Sequence, residues 1–162
     1  MSKLDDIIEV FQSVEPDMRL ELLLDYSRKL PPLPQRYHAQ RDAGLHFVPE
    51  CQTPVFLVTE PANGSMHIHV DVAEEAPTVK GFISSLIRAF EGASRQEIAA
   101  APNELLQMLG LGELIRMTRA VGLSAILGRI KNAAAEEDEH AECRMPNNTG
   151  LVLNSRKVVQ IR

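Results

Sequence analysis

Cysteine is scarce in this chain. Two occur in 162 residues, Cys51 and Cys143, and they are far apart. That usage argues against a disulfide framework and for a reducing compartment. Cofactor signatures are missing too. No CxxC or HExxH spacing occurs, so no metal-ligand motif stands out. Neither GxGxxG nor the phosphate-cradling GxxxxGK loop is present, and no GxSxG elbow offers a serine nucleophile. A basic excess is also lacking: the net charge is −5 and the isoelectric point about 5.5. This speaks against a nucleic-acid footprint. No apolar run approaches the roughly twenty residues needed to span a membrane. The start, Met1-Ser2-Lys3-Leu4-Asp5-Asp6, is acidic and lacks the apolar stretch of a signal peptide. These absences predict a cytoplasmic protein with no cofactor, no resident metal, no membrane contact and no nucleic-acid partner.

What is present is ordinary for a globular domain: 44% hydrophobic and 24% charged residues. The length fits one domain with a core that needs no staples. Ser2 and Asp5 read as a capping box, followed by an apolar stripe at Leu4, Ile7, Ile8 and Phe11. Pro16 suits the first position of a second helix. Met18, Leu20, Leu22, Leu23, Leu24 and Tyr26 give that helix a broad apolar face, which predicts deep burial. Leu30-Pro31-Pro32-Leu33-Pro34 ends it, and the prolines predict a stiff extended connector.

From Leu45 the period changes. Leu45-His46-Phe47-Val48 and Val55-Phe56-Leu57-Val58 read as strands. Asn63-Gly64 is a hairpin signal. Met66, Ile68, Val70 and Val72 then alternate with His67, His69 and Asp71, one face buried and one wet. The reading is a three-stranded antiparallel sheet. After Pro77 the helical period returns at Val79, Phe82, Ile83, Leu86 and Phe90, stopped by Gly92. Ser94 and Glu97 form a second capping box, and Pro102 opens a further turn through Leu105, Leu106 and Leu109. Thr118 is the expected N-cap of a last long helix striped by Leu123, Ile126, Leu127 and Ile130. Helices on both sides of one strand block make the fold α+β, a small antiparallel sheet against several helices. Residues 1–140 form the domain. Residues 141–162 are a basic extension of unknown role, holding Arg144, Arg156, Lys157 and Arg162 against Glu142. Its segments 151–153 and 158–159 read equally as edge strands or as a disordered tail.

The chemistry centres on Val48-Pro49-Glu50-Cys51-Gln52-Thr53-Pro54. Two prolines hold Cys51 on a short, stiff, non-helical segment just before a strand. A thiol at a loop tip suits sulfur exchange, which needs an approachable thiolate. The other reading is an inert, buried apolar atom, and spacing alone favours it. His67 and His69 share one strand face, so a zinc site with Cys51 is conceivable, but exposed polar positions are the commoner meaning. A thiol enzyme pairing Cys51 with one of His38, His46, His67, His69 or His140 stays open.

Four stretches in register carry a resemblance. They are Lys29-Leu30-Pro31-Pro32-Leu33-Pro34, the run from Val48 through Cys51 to Leu57, Val79-Lys80-Gly81-Phe82-Ile83, and Leu109-Gly110-Leu111 with Thr118-Arg119-Ala120-Val121-Gly122-Leu123. The chain resembles the SufE family of sulfur-acceptor proteins in iron–sulfur cluster assembly, over most of residues 1–140. The resemblance implies a SufE/IscU-like fold and a role for Cys51 as persulfide acceptor. It implies activation of a SufS- or CsdA-like cysteine desulfurase and delivery of sulfur to a SufBCD-like scaffold, without a cofactor. Arg119 carries over as a support residue. The alternative is a desulfurase-binding regulator that is not itself an acceptor, with a structural Cys51. Where the family commonly has glycine before the cysteine, this chain has Glu50, whose charge disfavours the thiolate.

Overall fold

The computed structural model describes residues 2–143. The first helix, α1 (Lys3–Ser13), opens with the expected capping box. The Ser2 hydroxyl accepts from the Asp5 amide at 3.2 Å, and the Asp5 carboxylate accepts from the Ser2 amide at 3.0 Å. Ile7, Ile8 and Phe11 go into the core. Helix α2 (Pro16–Arg28) has Pro16 at its first turn, where the missing N–H has no intrahelical partner to lose. Its apolar face is shallower than its composition predicts. Leu23 and Tyr26 are buried, whereas Met18 and Leu20 are 47% and 43% exposed. Six apolar residues over nine positions run around the helix, and one flank can face only one neighbour.

That neighbour is α4 (Pro77–Phe90), the central strut of the domain. It packs on α1, α2 and the last helix. Val79, Phe82, Ile83, Leu86 and Phe90 lie at the predicted spacing and are all buried. Burying each such side chain contributes about 1.5–3 kcal/mol. Gly81 sits against α2, where an added Cβ would collide with the Leu23 carbonyl. Gly92, at φ +78°, ends the strut in a conformation that only glycine adopts cheaply.

The sheet has two strands, β1 (Val55–Ala62) and β2 (Ser65–Val72), paired antiparallel from Val55↔Val72 to Ala62↔Ser65. Asn63 and Gly64 turn the hairpin with φ of 45° and 80°. The expected third strand at residues 45–48 is not formed. It shrinks to one bridge, Phe47↔Phe56, held by Val48 N–H to Val55 O at 3.0 Å and Leu57 N–H to His46 O at 3.1 Å. The reason is local: His46 has a left-handed φ of 59°, and Pro49 has no N–H to continue a ladder.

The outer face of the sheet is also less wet than predicted. Leu33, Tyr37 and Phe56 form a second small cluster on it. Tyr37 lies 5.2 Å from the His69 ring, and His69 Nε2 sits 3.1 Å from a Glu60 carboxylate oxygen. His67 stays exposed; His69 does not. The proline run reaches this cluster and then turns into a 3-10 turn (Gln35–Tyr37) and helix α3 (His38–Asp42), a stretch to which the sequence pattern assigned no element.

Helix α5 (Arg95–Ala99) carries the second capping box, with Ser94 and Glu97 exchanging hydrogen bonds. Helix α6 (Leu105–Met108) follows, and α7 (Met117–Cys143) closes the described chain. Thr118 lies inside the first turn of α7, not at its N-cap. Leu123, Ile126, Leu127 and Ile130 form its buried stripe as expected. Cys143, expected in the extension that starts at residue 141, is the last residue of α7. The extension beyond it, with the turn-like run at 145–150 and the strand candidates at 151–153 and 158–159, lies outside the described residues.

Gly81→Ala is expected to destabilise the domain by about 3 kcal/mol, because backbone cannot yield as a side chain can. The midpoint of urea unfolding checks this; an unchanged midpoint contradicts the close α2–α4 packing.

Candidate functional site

The chain between the Phe47 bridge and β1 is a clamped loop. Val48 N–H bonds Val55 O across its neck, and Cys51 N–H donates to Val48 O at 3.2 Å inside it. Pro49 fixes its own φ inside the turn that this bond closes, and Pro54 biases Thr53 away from the α region, so the loop stays non-helical. Cys51 is thereby carried to the surface of α7. It is half-buried and packs on the edge of the main core. Part of the inert, apolar reading of this residue is therefore correct in geometry.

Beside it lies a cavity of about 80 Å³, lined by Cys51, Gln52, Thr53, Val79, Arg119, Gly122 and Leu123. This is well above the roughly 10–15 Å³ that admits one water. Val79 comes from the first turn of α4, while Arg119, Gly122 and Leu123 come from the first two turns of α7. Gly122 comes closest to the loop: an ideal Cβ there would lie 2.8 Å from Cys51 Sγ.

Three influences set the thiol. Burial pushes the Cys51 pKa above its ordinary value, the Glu50 carboxylate pushes it further up, and the Arg129 guanidinium pulls it back. Sequence reasoning identified the Glu50 contribution, but burial is the larger one. Glu50 also makes a 3.4 Å ion pair with Arg129, both side chains nearly half exposed. Arg129 stands seven residues after Gly122, on the same face of α7 and two turns along. That i+7 spacing was the available signal for Arg129, and it went unused.

Arg119, the second predicted site residue, does line the Cys51 cavity. It also borders a neighbouring hollow of about 300 Å³ with Thr78, Leu114, Ile115 and Arg116. Arg119 is exposed. The cation that acts on the resting thiol is Arg129, not Arg119. Among the described residues, no histidine lines the Cys51 cavity, so His38, His46, His67 and His69 are not brought to the thiol there. Among the described residues, no group of three or more His, Cys, Asp or Glu is placed to hold a metal ion. No helix among them is long and apolar enough to cross a membrane.

Among the described side chains the site thus holds one thiol: a half-buried cysteine on a short loop, backed by a helix and edged by arginines. Comparison with known proteins gives the family. A model of the SufE Fe–S metabolism associated domain matches residues 5–134, and the chain belongs to the SufE family. An uncharacterized SufE-like protein of Mycobacterium tuberculosis is 34% identical over 136 residues, 83% of this chain and 93% of that protein. The chloroplastic quinolinate synthase of Nicotiana tabacum is 33% identical over 116 residues, 70% of this chain but 15% of the synthase. A solution structure of a hypothetical protein from Thermus thermophilus superposes with a TM-score of 0.74 at 32% identity. It covers 86% of this chain and 99% of that one. The fold is α+β, and the family places the chain in iron–sulfur metabolism.

The two charges beside the thiol have opposite signs, so they predict opposite effects. Glu50→Gln should lower the pH at which Cys51 is alkylated at half its maximal rate, and Arg129→Ala should raise it. Each shift should stay below about one pH unit, because both groups are water-screened. Shifts of the same sign in both variants contradict the assignment.

Proposed function

We propose that the chain accepts persulfide sulfur from a SufS- or CsdA-like cysteine desulfurase on Cys51, raises the desulfurase's turnover, and hands the sulfur to a SufBCD-like scaffold. The observation that carries this is the position of Cys51: a thiol sheltered against α7 on a proline-bracketed loop, in a SufE-family chain.

The chemistry needs only thiols. The Cys51 thiolate attacks the outer sulfur of the desulfurase persulfide. A new S–S bond forms on Cys51, the old one breaks, and the desulfurase cysteine leaves as thiolate. One sulfur moves with no net oxidation, so no cofactor or external oxidant enters. A lone loop thiol has no partner in the loop to expel the sulfur as sulfide. The raised pKa means that the resting thiol is mostly protonated, which guards it against stray oxidants. Docking is then required to release the loop and ionise it.

The surface beside the cavity suits such docking. Leu114, Met117 and Val121 are 41%, 85% and 58% exposed. Leu114 borders the hollow that shares Arg119 with the Cys51 cavity, and Met117 and Val121 are one turn apart on α7. Exposed apolar residues beside arginines mark a protein-binding face. In this reading Arg119 orients the transferred sulfur or the incoming partner.

The raised pKa favours a second reading, a desulfurase-binding regulator whose Cys51 is structural. Mass spectrometry after incubation with desulfurase and free cysteine separates the two. A gain of one sulfur atom on Cys51 supports the acceptor; desulfurase stimulation without any gain supports the regulator.

Mutation of the two cysteines gives the functional test. Cys51→Ser should fold and bind the desulfurase, yet neither accept sulfur nor stimulate turnover, because a serine hydroxyl is not ionised near neutral pH. Cys143→Ser should leave both activities close to wild type. Full stimulation by Cys51→Ser removes the acceptor reading, and equal loss in both variants replaces a one-thiol relay with a two-thiol one.

A further inference from the structure

Gly122 is a helix-interior glycine that its own backbone does not need. Gly44, Gly64, Gly92 and Gly110 have left-handed φ values, but Gly122 does not. Glycine weakens a helix interior relative to alanine. What sets Gly122 apart from a merely tolerated helix glycine is what its missing side chain would meet. An ideal Cβ at position 122 would lie 2.8 Å from Cys51 Sγ, 3.2 Å from Cys51 Cα and 3.4 Å from Glu50 O. Carbon contacts are favourable at about 3.5–4.0 Å. Rotating the cysteine side chain relieves the first of these contacts and leaves the 3.2 Å contact with Cys51 Cα, which only a shift of the loop backbone relieves. Gly128, further along α7, provides the contrast: a Cβ there meets nothing within 4 Å.

We propose that Gly122 is the positioning residue that lets the Cys51 loop seat on α7, and so sets the balance between a sheltered and a presented thiol. When a side chain is placed at 122, one partner must move. Helix α7 is long and its stripe is buried, so it stays. The loop neck is held by Val48 and Val55, so the neck stays as well. Residues 49–54 are what remains, and they lift Cys51 off the helix into water. Lifting removes the burial that holds the thiol protonated, and it opens the cavity lined by Val79, Gly122 and Leu123 beside the sulfur. The functional consequence rests on the proposed acceptor role: a persulfide on a lifted loop is formed readily and lost readily to small thiols. The geometric claim does not rest on it.

The experiment uses full-length chain carrying Cys143→Ser, so that iodoacetamide reads Cys51 alone, with no desulfurase present. Gly122→Ala and Gly128→Ala are compared with their parent across a pH series. Gly122→Ala should react about tenfold faster at neutral pH, with its pH midpoint moved down by about one unit. Gly128→Ala should react like the parent. A Gly122→Ala protein with native circular dichroism and the parent's pH profile overturns the proposal. Should Gly122→Ala fail to fold, the same change is made with Pro49→Gly and Pro54→Gly, which frees residues 49–54 to move off the helix. Recovery of folding there supports the seat, and failure in both backgrounds overturns it. Because the readout is alkylation of the isolated protein, a lack of sulfur transfer from a desulfurase would remove the acceptor reading and leave this result standing.

Discussion

Backbone lies against backbone at Gly81, and the site depends on that contact. With no Cβ in the way, α4 settles directly on the Leu23 carbonyl of α2. Two residues earlier the same helix contributes Val79 to the Cys51 cavity, and Thr78 borders the neighbouring hollow. The first turn of α4 is therefore fixed by packing that occurs deeper in the domain. Helix α7 lies against the same strut. Between them they form a rigid floor, and the loop bearing Cys51 is the only part of the site not built on a helix. Precision comes from the floor and freedom from the loop, which is the division that a docking thiol needs.

That division explains an apparent conflict in the electrostatics. Sulfur exchange uses thiolate, yet burial and Glu50 both favour the neutral thiol. A thiol kept ionised at rest would meet every oxidant that diffuses past. Here the protonated form belongs to the seated loop. The groups around the cavity that favour an anion, Arg119 and Arg129, are both on α7 and both accessible. In the proposed reading, reactivity would therefore follow loop position, which is set by contacts between the loop and α7.

Much of this was legible in the sequence. Both capping boxes, the α4 stripe, the Asn63-Gly64 hairpin and the α+β class follow from local rules, and the structure has them. What sequence missed has a common origin in contacts between distant segments. The strand expected at residues 45–48 has suitable side chains, but the left-handed φ of His46 ends the pairing after one bridge. The burial of α2 was overstated because periodicity counts apolar residues and not the neighbours available to cover them. His69 was assigned to water because nothing in its own strand reveals that Tyr37, from the segment after the prolines, covers it. At the site, the prolines placed Cys51 on a short non-helical segment, but spacing alone favoured an inert residue, and only the family resemblance pointed to it as an acceptor. Gly122 was quoted within a motif but had no role, since only the fold brings α7 to the loop.

The Glu50–Arg129 pair shows how a departure from the family pattern fits this scheme. A carboxylate next to Cys51 raises the thiol pKa, which alone would be a handicap in the proposed acceptor role. Across the loop, Arg129 opposes it from α7, so the net penalty at the sulfur is smaller than Glu50 by itself imposes. At 3.4 Å, with side-chain exposures of 45% and 43%, the pair belongs to the class worth about 0–1 kcal/mol. A strong bridge would tie the loop down against any partner. A weak one biases the loop towards its seat and yields when docking supplies modest energy. In the proposed acceptor role, release of the loop would carry Glu50 away together with Cys51, because the two are neighbours, and leave Arg129 on the helix. A lifted thiol would then lose its nearby cation but keep its anion, so its gain in ionisation would have to come from hydration and from a partner's own groups.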